Sequence, residues 1–189
     1  AIADHCELFV ALGGLVTDNG QMGNGGTGRH VQREGLSQAA QSGVEFVNIS
    51  PRRVDVDSDI APRWMPVRPN SDTALLLALC HVLHRDGLVD SAFVERYAVG
   101  YGEFVAYLDG QADGVVKNAA WAAPLTGIAE ADITALAHEM AGKRTMIGVS
   151  WSLSRQQWGE QPFWAAIALA TLLGQIGLPG GGIGFGYAI

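Results

Sequence analysis

The chain has 189 residues, 48% of them hydrophobic and 16% charged, with a formal net charge of -7. That length suits one domain with a real core, and so little charge leaves part of the apolar surface for an interface. The acidic balance excludes nucleic acid as a general partner, because phosphate binding wants a basic face.

The opening "AIADHCELFV" has no initiator Met, no basic n-region and no h-region, so targeting is unreadable from it. The run "ELFVALGG" (7–14) predicts a first strand. "REGLSQAAQSG" (33–43) predicts a helix, "VEFVNIS" (44–50) a second strand and "WMPVRP" (64–69) a shorter third. The stretch "SDTALLLALCHVLHRDG" (71–87) predicts a long buried helix, with Asn70 or Ser71 as N-cap and Gly87 as C-cap. Shorter helices are expected over 90–98 and 102–110. The segment 110–128 reads as a surface loop. Spacing of Ile133, Leu136, Ala137 and Met140 predicts a helix over 129–143. "RTMIGVS" (144–150) is a fourth strand. A polar loop follows, then a helix from Pro162, a residue favoured at the first helical position. Its apolar run, Phe163–Gly174, is 12 residues, short of the roughly 20 that span a membrane. The chain closes on "GLPGGGIGFGYAI", with six glycines in 13 residues. We read it as a loop bordering a ligand, since glycine serves where backbone passes close to something.

Strands alternating with helices imply an α/β fold: a parallel sheet with flanking helices, like a Rossmann dinucleotide-binding domain. Ligands in such sheets sit at the carboxyl ends of the strands. The residues to inspect are therefore Gly13 and Gly14, "SPRR" (50–53), "RPNSD" (68–72) and "SWSLSR" (150–155). In "SPRR", Ser50 with Arg52 and Arg53 suits a phosphate or a nucleotide base, because guanidinium is a fixed fork of donors; the plainer reading is a solvated turn. Asp72 stands at a helix start, where it caps and complements the macrodipole. A carboxylate held there also suits guanine, whose N1–H and N2 amino group are adjacent donors. The two roles are compatible. In "SWSLSRQQWGEQPFW" (150–164), Trp151 is the stacking candidate and Arg155 the phosphate candidate, while Trp158 and Trp164 read as core. Glu160 reads as a helix-start carboxylate.

Other motifs carry less. "GNGGTG" (23–28) matches G-x-G-x-x-G by letter, yet about ten residues separate it from the first strand, where the fingerprint would follow directly. It reads as a glycine-rich loop. Cys80, His81 and His84 lie close on the long helix, but no third ligand of matching spacing appears, so packed side chains are the better reading. Two cysteines make no disulfide framework and read as small buried hydrophobes.

Read in order, "LFVALGGL", "VNISPRRVD", "VRPNSDTALLLALCHVL", "RYAVGYGEFVAYLDG", "AAWAAPLTGI", "RTMIGVSWSLSRQQWGEQPFW" and "LLGQIGLPGGGIGFGY" resemble one family. It is the bis-molybdopterin oxidoreductases, in their dimethyl sulfoxide, trimethylamine N-oxide and biotin sulfoxide reductase branch. Family proteins are several times longer. The resemblance therefore implies that residues 1–189 are the central cofactor-binding α/β domain of a longer multidomain enzyme, inactive alone. It implies Mo-bis(molybdopterin guanine dinucleotide) as cofactor, with an oxygen atom moved from an S- or N-oxide substrate to molybdenum. Electrons would come from a separate donor protein. By the same resemblance, Ser50, Pro51, Arg52, Asn70, Ser71 and Asp72 contact the guanosine end of one cofactor. Trp151, Ser152 and Arg155 lie at the cofactor nearer the substrate funnel, and Gly13 and Gly14 form the strand-end turn against the dinucleotide. Here "GGLVTD" stands where many relatives have a Trp-Gly-x-Asn-Pro turn. The branch's serine ligand to molybdenum lies upstream, so no metal ligand and no catalytic residue is named in this chain. The competing readings are an NADP-dependent oxidoreductase, with "SPRR" on a 2′-phosphate, and a non-catalytic nucleotide-binding domain.

Overall fold

The computed structural model describes residues 1–17 and 31–185. Strands β1 (Leu8–Leu12), β2 (Glu45–Ile49), β3 (Arg63–Met65), β4 (Thr145–Val149) and β5 (Gly182–Phe185) form one sheet in the order β3-β2-β1-β4-β5. Every neighbouring pair is parallel, so each connection must cross over a face of the sheet. The chain works outward from β1 through β2 to β3, then returns to the other side of β1 for β4 and β5. The order reverses between β1 and β4, which is where sheets of this kind open a crevice.

Both faces of β1 are covered, which is why all five of its residues are buried and apolar. Leu8, Val10 and Leu12 face a large core shared with α3 (Asp72–Arg85), α7 (Glu130–Gly142) and α8 (Gln161–Leu172). Phe9 and Ala11 face a smaller cluster with Ala39 of α2 (Gln32–Gln41). The short α1 (Ile2–His5) contacts α2. Helix α3 is apolar nearly all round, with Leu75, Leu76, Leu79 and Leu83 fully buried, as expected of a helix packed on several sides. Leu76→Ala should cost about 2–5 kcal/mol of stability, read as a lower denaturation midpoint; an unchanged midpoint would deny α3 its place in the core.

The strands and helices read from the sequence are present, including α4 (Ser91–Tyr97) and α5 (Tyr101–Leu108). Ser71 is the N-cap residue of α3, although its hydroxyl does not cap the helix. Three readings need correction. Segment 110–128 contains a helix, α6 (Ala119–Thr126), with Ala119, Ala122 and Thr126 buried and Pro124 inside it. Asn118 caps it, Oδ1 accepting the Trp121 N–H at 2.8 Å. Proline reads as a breaker and alanine gives no amphipathic stripe, yet small residues let α6 lie close against α3. The closing glycines, in turn, form a turn and then strand β5, with Ile147 opposite Ile183 and Gly148 opposite Gly184. Glycine is weak in strands, which hid it; at Gly180 a Cβ would stand 2.5 Å from the Cys6 amide nitrogen. Residues from Gly186 onward, and the "GNGGTG" loop, lie outside the described residues. Lastly, Trp158 and Trp164 are not core: they are 67% and 61% exposed. Trp158 takes a left-handed φ of 59°, in a turn so tight that a Cβ on Gly159 would meet the Ser154 carbonyl at 2.2 Å.

Among the described residues, no helix is long and apolar enough to cross a membrane. Nor do three or more His, Cys, Asp or Glu side chains gather to hold a metal among them. Cys80 is fully buried, which pushes its thiol pKa up. His84 Nδ1 lies 2.9 Å from the Tyr101 hydroxyl.

Candidate functional site

Because all five strands are parallel, Gly13, Ser50, Asp72 and Arg155 follow strands that end on one rim. Three strand ends are knitted there by backbone. Gly13 N–H donates to Ile49 O at 2.9 Å, Ser150 N–H to Leu12 O at 2.9 Å, and Leu15 N–H to Asp55 O at 2.8 Å. Gly13 and Gly14 have φ of 80° and 85°, a backbone that glycine takes without strain. Their missing side chains also let the neighbouring loops close in. A Cβ on Gly13 would meet Leu153 Cδ1 at 2.5 Å, and one on Gly14 would meet Asp55 O at 2.5 Å.

The turn after β2 is built from within. Ser50 is fully buried, and its hydroxyl donates to the Arg52 carbonyl at 2.6 Å. Trp64 Nε1 donates to the Ser50 carbonyl at 3.0 Å. Pro51 is exposed at the turn. The Arg52 side chain is largely exposed, its Nε 3.5 Å from Asp55 Oδ1. After β4 a 3-10 turn runs Trp151–Ser154. Ser150 Oγ accepts the Ser152 N–H at 3.3 Å and the Ser154 hydroxyl donates to Trp151 O at 2.8 Å. The turn leaves Trp151 55% exposed. Arg155 is exposed and makes no ion pair with other described residues.

These loops enclose a crevice of about 710 Å³, walled by Gly13, Gly14, Arg52, Trp151, Ser152 and Arg155. Its floor is Phe9, Met146 and Gly148 on the sheet face, with Gly184 of β5 beside them. That volume falls within the roughly 300–1,000 Å³ of small-molecule sites. A smaller cavity of about 560 Å³, near Val44, Phe46 and Ile60, lies toward the amino end of β2 and away from the switch point.

The remaining expected residues do not wall the crevice. Ser50 and Pro51 shape the turn that carries Arg52. Asn70, Ser71 and Asp72 form a second group past β3. Asn70 has a left-handed φ of 67°. The Ser71 hydroxyl donates to Arg68 O at 2.7 Å. Arg68 is tied to α6 by its N–H to Thr126 O at 2.8 Å. Asp72, the first residue of α3, is 6% exposed. Burial raises its carboxyl pKa, opposed only by its own backbone N–H. No cation pairs with it among the described residues, so this acceptor is buried without a donor from another side chain. From β3 to β4 is three strand spacings, about 14 Å across the rim, a span that an extended dinucleotide bridges.

Sequence reasoning missed Asn48, Trp64 and Asp55, which support the turn after β2, and the apolar floor. Asn48 did leave a signal: it is a lone amide inside the apolar run "VEFVNIS".

A family model for molybdopterin oxidoreductases matches residues 23–188. The chain belongs to that family. It is 43% identical over 187 residues to a biotin sulfoxide reductase of Cereibacter sphaeroides, which covers 99% of this chain and 25% of that protein. It is 42% identical over 154 residues to trimethylamine-N-oxide reductase 1 of Escherichia coli (strain K12), covering 80% of this chain and 18% of that protein. The chain thus spans a quarter or less of these relatives. Acetylene hydratase from Pelobacter acetylenicus shares the fold, with a TM-score of 0.70 at 22% identity over 93% of this chain and 22% of that one.

The residues present are compatible in chemistry with the molybdopterin cofactor that the family implies. A buried carboxylate with no donor from another described side chain suits a base edge rich in N–H groups. Two exposed guanidiniums and an exposed indole at the switch point suit phosphates and a ring system.

Proposed function

We propose that this chain is the cofactor-binding portion of a molybdenum-dependent S-oxide or N-oxide reductase. Its strand ends would seat the guanosine end of Mo-bis(molybdopterin guanine dinucleotide). The observation that carries this reading is the buried carboxylate of Asp72, which no other side chain among the described residues satisfies, on the same rim as the crevice walled by arginine and tryptophan. Asp72 accepts from guanine N1–H and N2–H. Asn70 and Ser71 hold the approach to it. Arg52 and Arg155 take the pyrophosphate, where a forked donor matches the oxygens. Trp151 covers a ring face, Ser152 lies beside it, and Gly13 with Gly14 let backbone approach the phosphates. When bound, the group supplies a metal that cycles between Mo(IV) and Mo(VI) as an oxygen atom leaves the substrate. The serine that ligates the metal in this branch belongs to the part of such an enzyme upstream of these residues, and electrons come from a separate donor protein.

Acid treatment of the purified intact protein tests the reading. GMP and molybdenum released together are expected; NADP instead would replace it with the dehydrogenase reading. Arg155→Ala should lower both contents while shifting stability by no more than about 0.5 kcal/mol, as for an exposed surface residue. Full loading of that variant would remove Arg155 from the site.

A further inference from the structure

Resting on that reading of the crevice, we infer that Asn48 is a positioning residue: its buried amide fixes the Arg52 carbonyl, and so holds the Arg52 guanidinium over the crevice. Asn48 is the penultimate residue of β2, fully buried, between Ala11 of β1 and Trp64 of β3. Its neighbours on that sheet face are apolar, Phe9, Ala11 and Phe46 among them. From there its Nδ2 reaches past the strand end to Arg53 O at 3.2 Å and Arg52 O at 3.4 Å. The Arg52 carbonyl also accepts from the Ser50 hydroxyl at 2.6 Å and from the Asp55 N–H at 3.2 Å. Three donors therefore converge on one carbonyl. Trp64 pins the other end of the turn through the Ser50 carbonyl at 3.0 Å.

The arrangement is not the stable one for a core. Asn48 Oδ1 has no hydrogen-bond partner among the described residues, and a buried acceptor left unpaired is destabilising. Valine, apolar and β-branched, suits such a strand position better. The amide makes physical sense through what its donor end does. Arg52, Asp55 and Gly14 all meet the crevice. Asp55 links the turn back to Leu15 by a backbone hydrogen bond of 2.8 Å. Fixing the Arg52 carbonyl thus sets one whole wall.

Asn48→Val in the intact protein is the test, read by three measurements: thermal midpoint, amide hydrogen exchange over residues 52–55, and acid-released GMP per folded protein. The expected result is an unchanged or higher midpoint, faster exchange at the Asp55 N–H, and GMP lowered several-fold. A lower midpoint with GMP per folded molecule retained would make Asn48 merely structural and overturn the inference. So would unaltered GMP and exchange in a preparation where Arg155→Ala has lost its nucleotide; that outcome leaves the proposed function standing. GMP absent from the wild-type protein overturns both. If Asn48→Val does not fold, Ser50→Ala removes another donor to the same carbonyl, and the same local loosening and loss of GMP are expected.

Discussion

Asp72→Asn should make the protein more stable at neutral pH and much poorer at holding the proposed nucleotide. The ionised carboxylate is penalised by burial, which raises its folded pKa. Asparagine fills the same space without charge. The sign of the pH effect follows from linkage. Below about pH 4, the ordinary carboxylate range, folded and unfolded states are both protonated and the penalty vanishes. As pH rises from there through the raised folded value, the native state holds its proton longer, and stability falls. Thermal midpoints against pH should therefore slope downward through that window in the wild type and lie flatter in the variant. Nucleotide binding moves the other way. Losing a charged acceptor costs about 1.5–3 kcal/mol per hydrogen bond, about ten- to a hundred-fold in affinity. The amide also turns a donor toward guanine's own donors. Asp72→Ala should likewise lose cofactor more than fold. Full molybdenum and GMP loading in either variant would sever Asp72 from the base.

Gly14→Ala should damage fold and site together. Its φ of 85° costs an L-residue about 1–2 kcal/mol. The added Cβ would stand 2.5 Å from the Asp55 carbonyl oxygen, an overpacking that costs about 1–3 kcal/mol more. That oxygen is backbone and accepts from Leu15 N–H, so it has little freedom to retreat. The sum, about 2–5 kcal/mol, lowers the midpoint by about 4–20 °C for a domain of this size. The surviving folded protein should hold less nucleotide, because the wall carrying Arg52 is pushed from the β1 turn. A stability change within about 0.5 kcal/mol, as at a neutral surface site, would mean the rim is looser than the structure has it.

Legibility in the sequence followed physical cause. The apolar runs of β1, β2 and β4 were plain because strands buried on both faces read as unbroken hydrophobic stretches. Their carboxyl ends then led to the crevice without any ligand, and Gly13, Gly14, Arg52, Trp151, Ser152 and Arg155 do wall it. Helix α6 was hidden because its packing rests on alanines and tolerates Pro124. Strand β5 was hidden because glycine hardly registers as a strand former, although Ile183 packs on the core. The two exposed tryptophans misled because size alone argues for burial; a left-handed backbone at Trp158 and a place on the outer side of α8 for Trp164 are facts of tertiary structure. Asn48 and Trp64 escaped for a related reason. Each acts on a backbone carbonyl several residues away in the chain, and no spacing rule encodes such a contact.

A crystal structure of the intact protein with its cofactor bound bears most directly on the seat at the strand ends. Guanine should lie with its N1–H and N2 amino group against the Asp72 carboxylate, and the pyrophosphate should reach the crevice between β1 and β4 beside Arg52 and Arg155. A cofactor lying along the opposite rim, or an Asp72 carboxylate covered by protein from another domain, would contradict it.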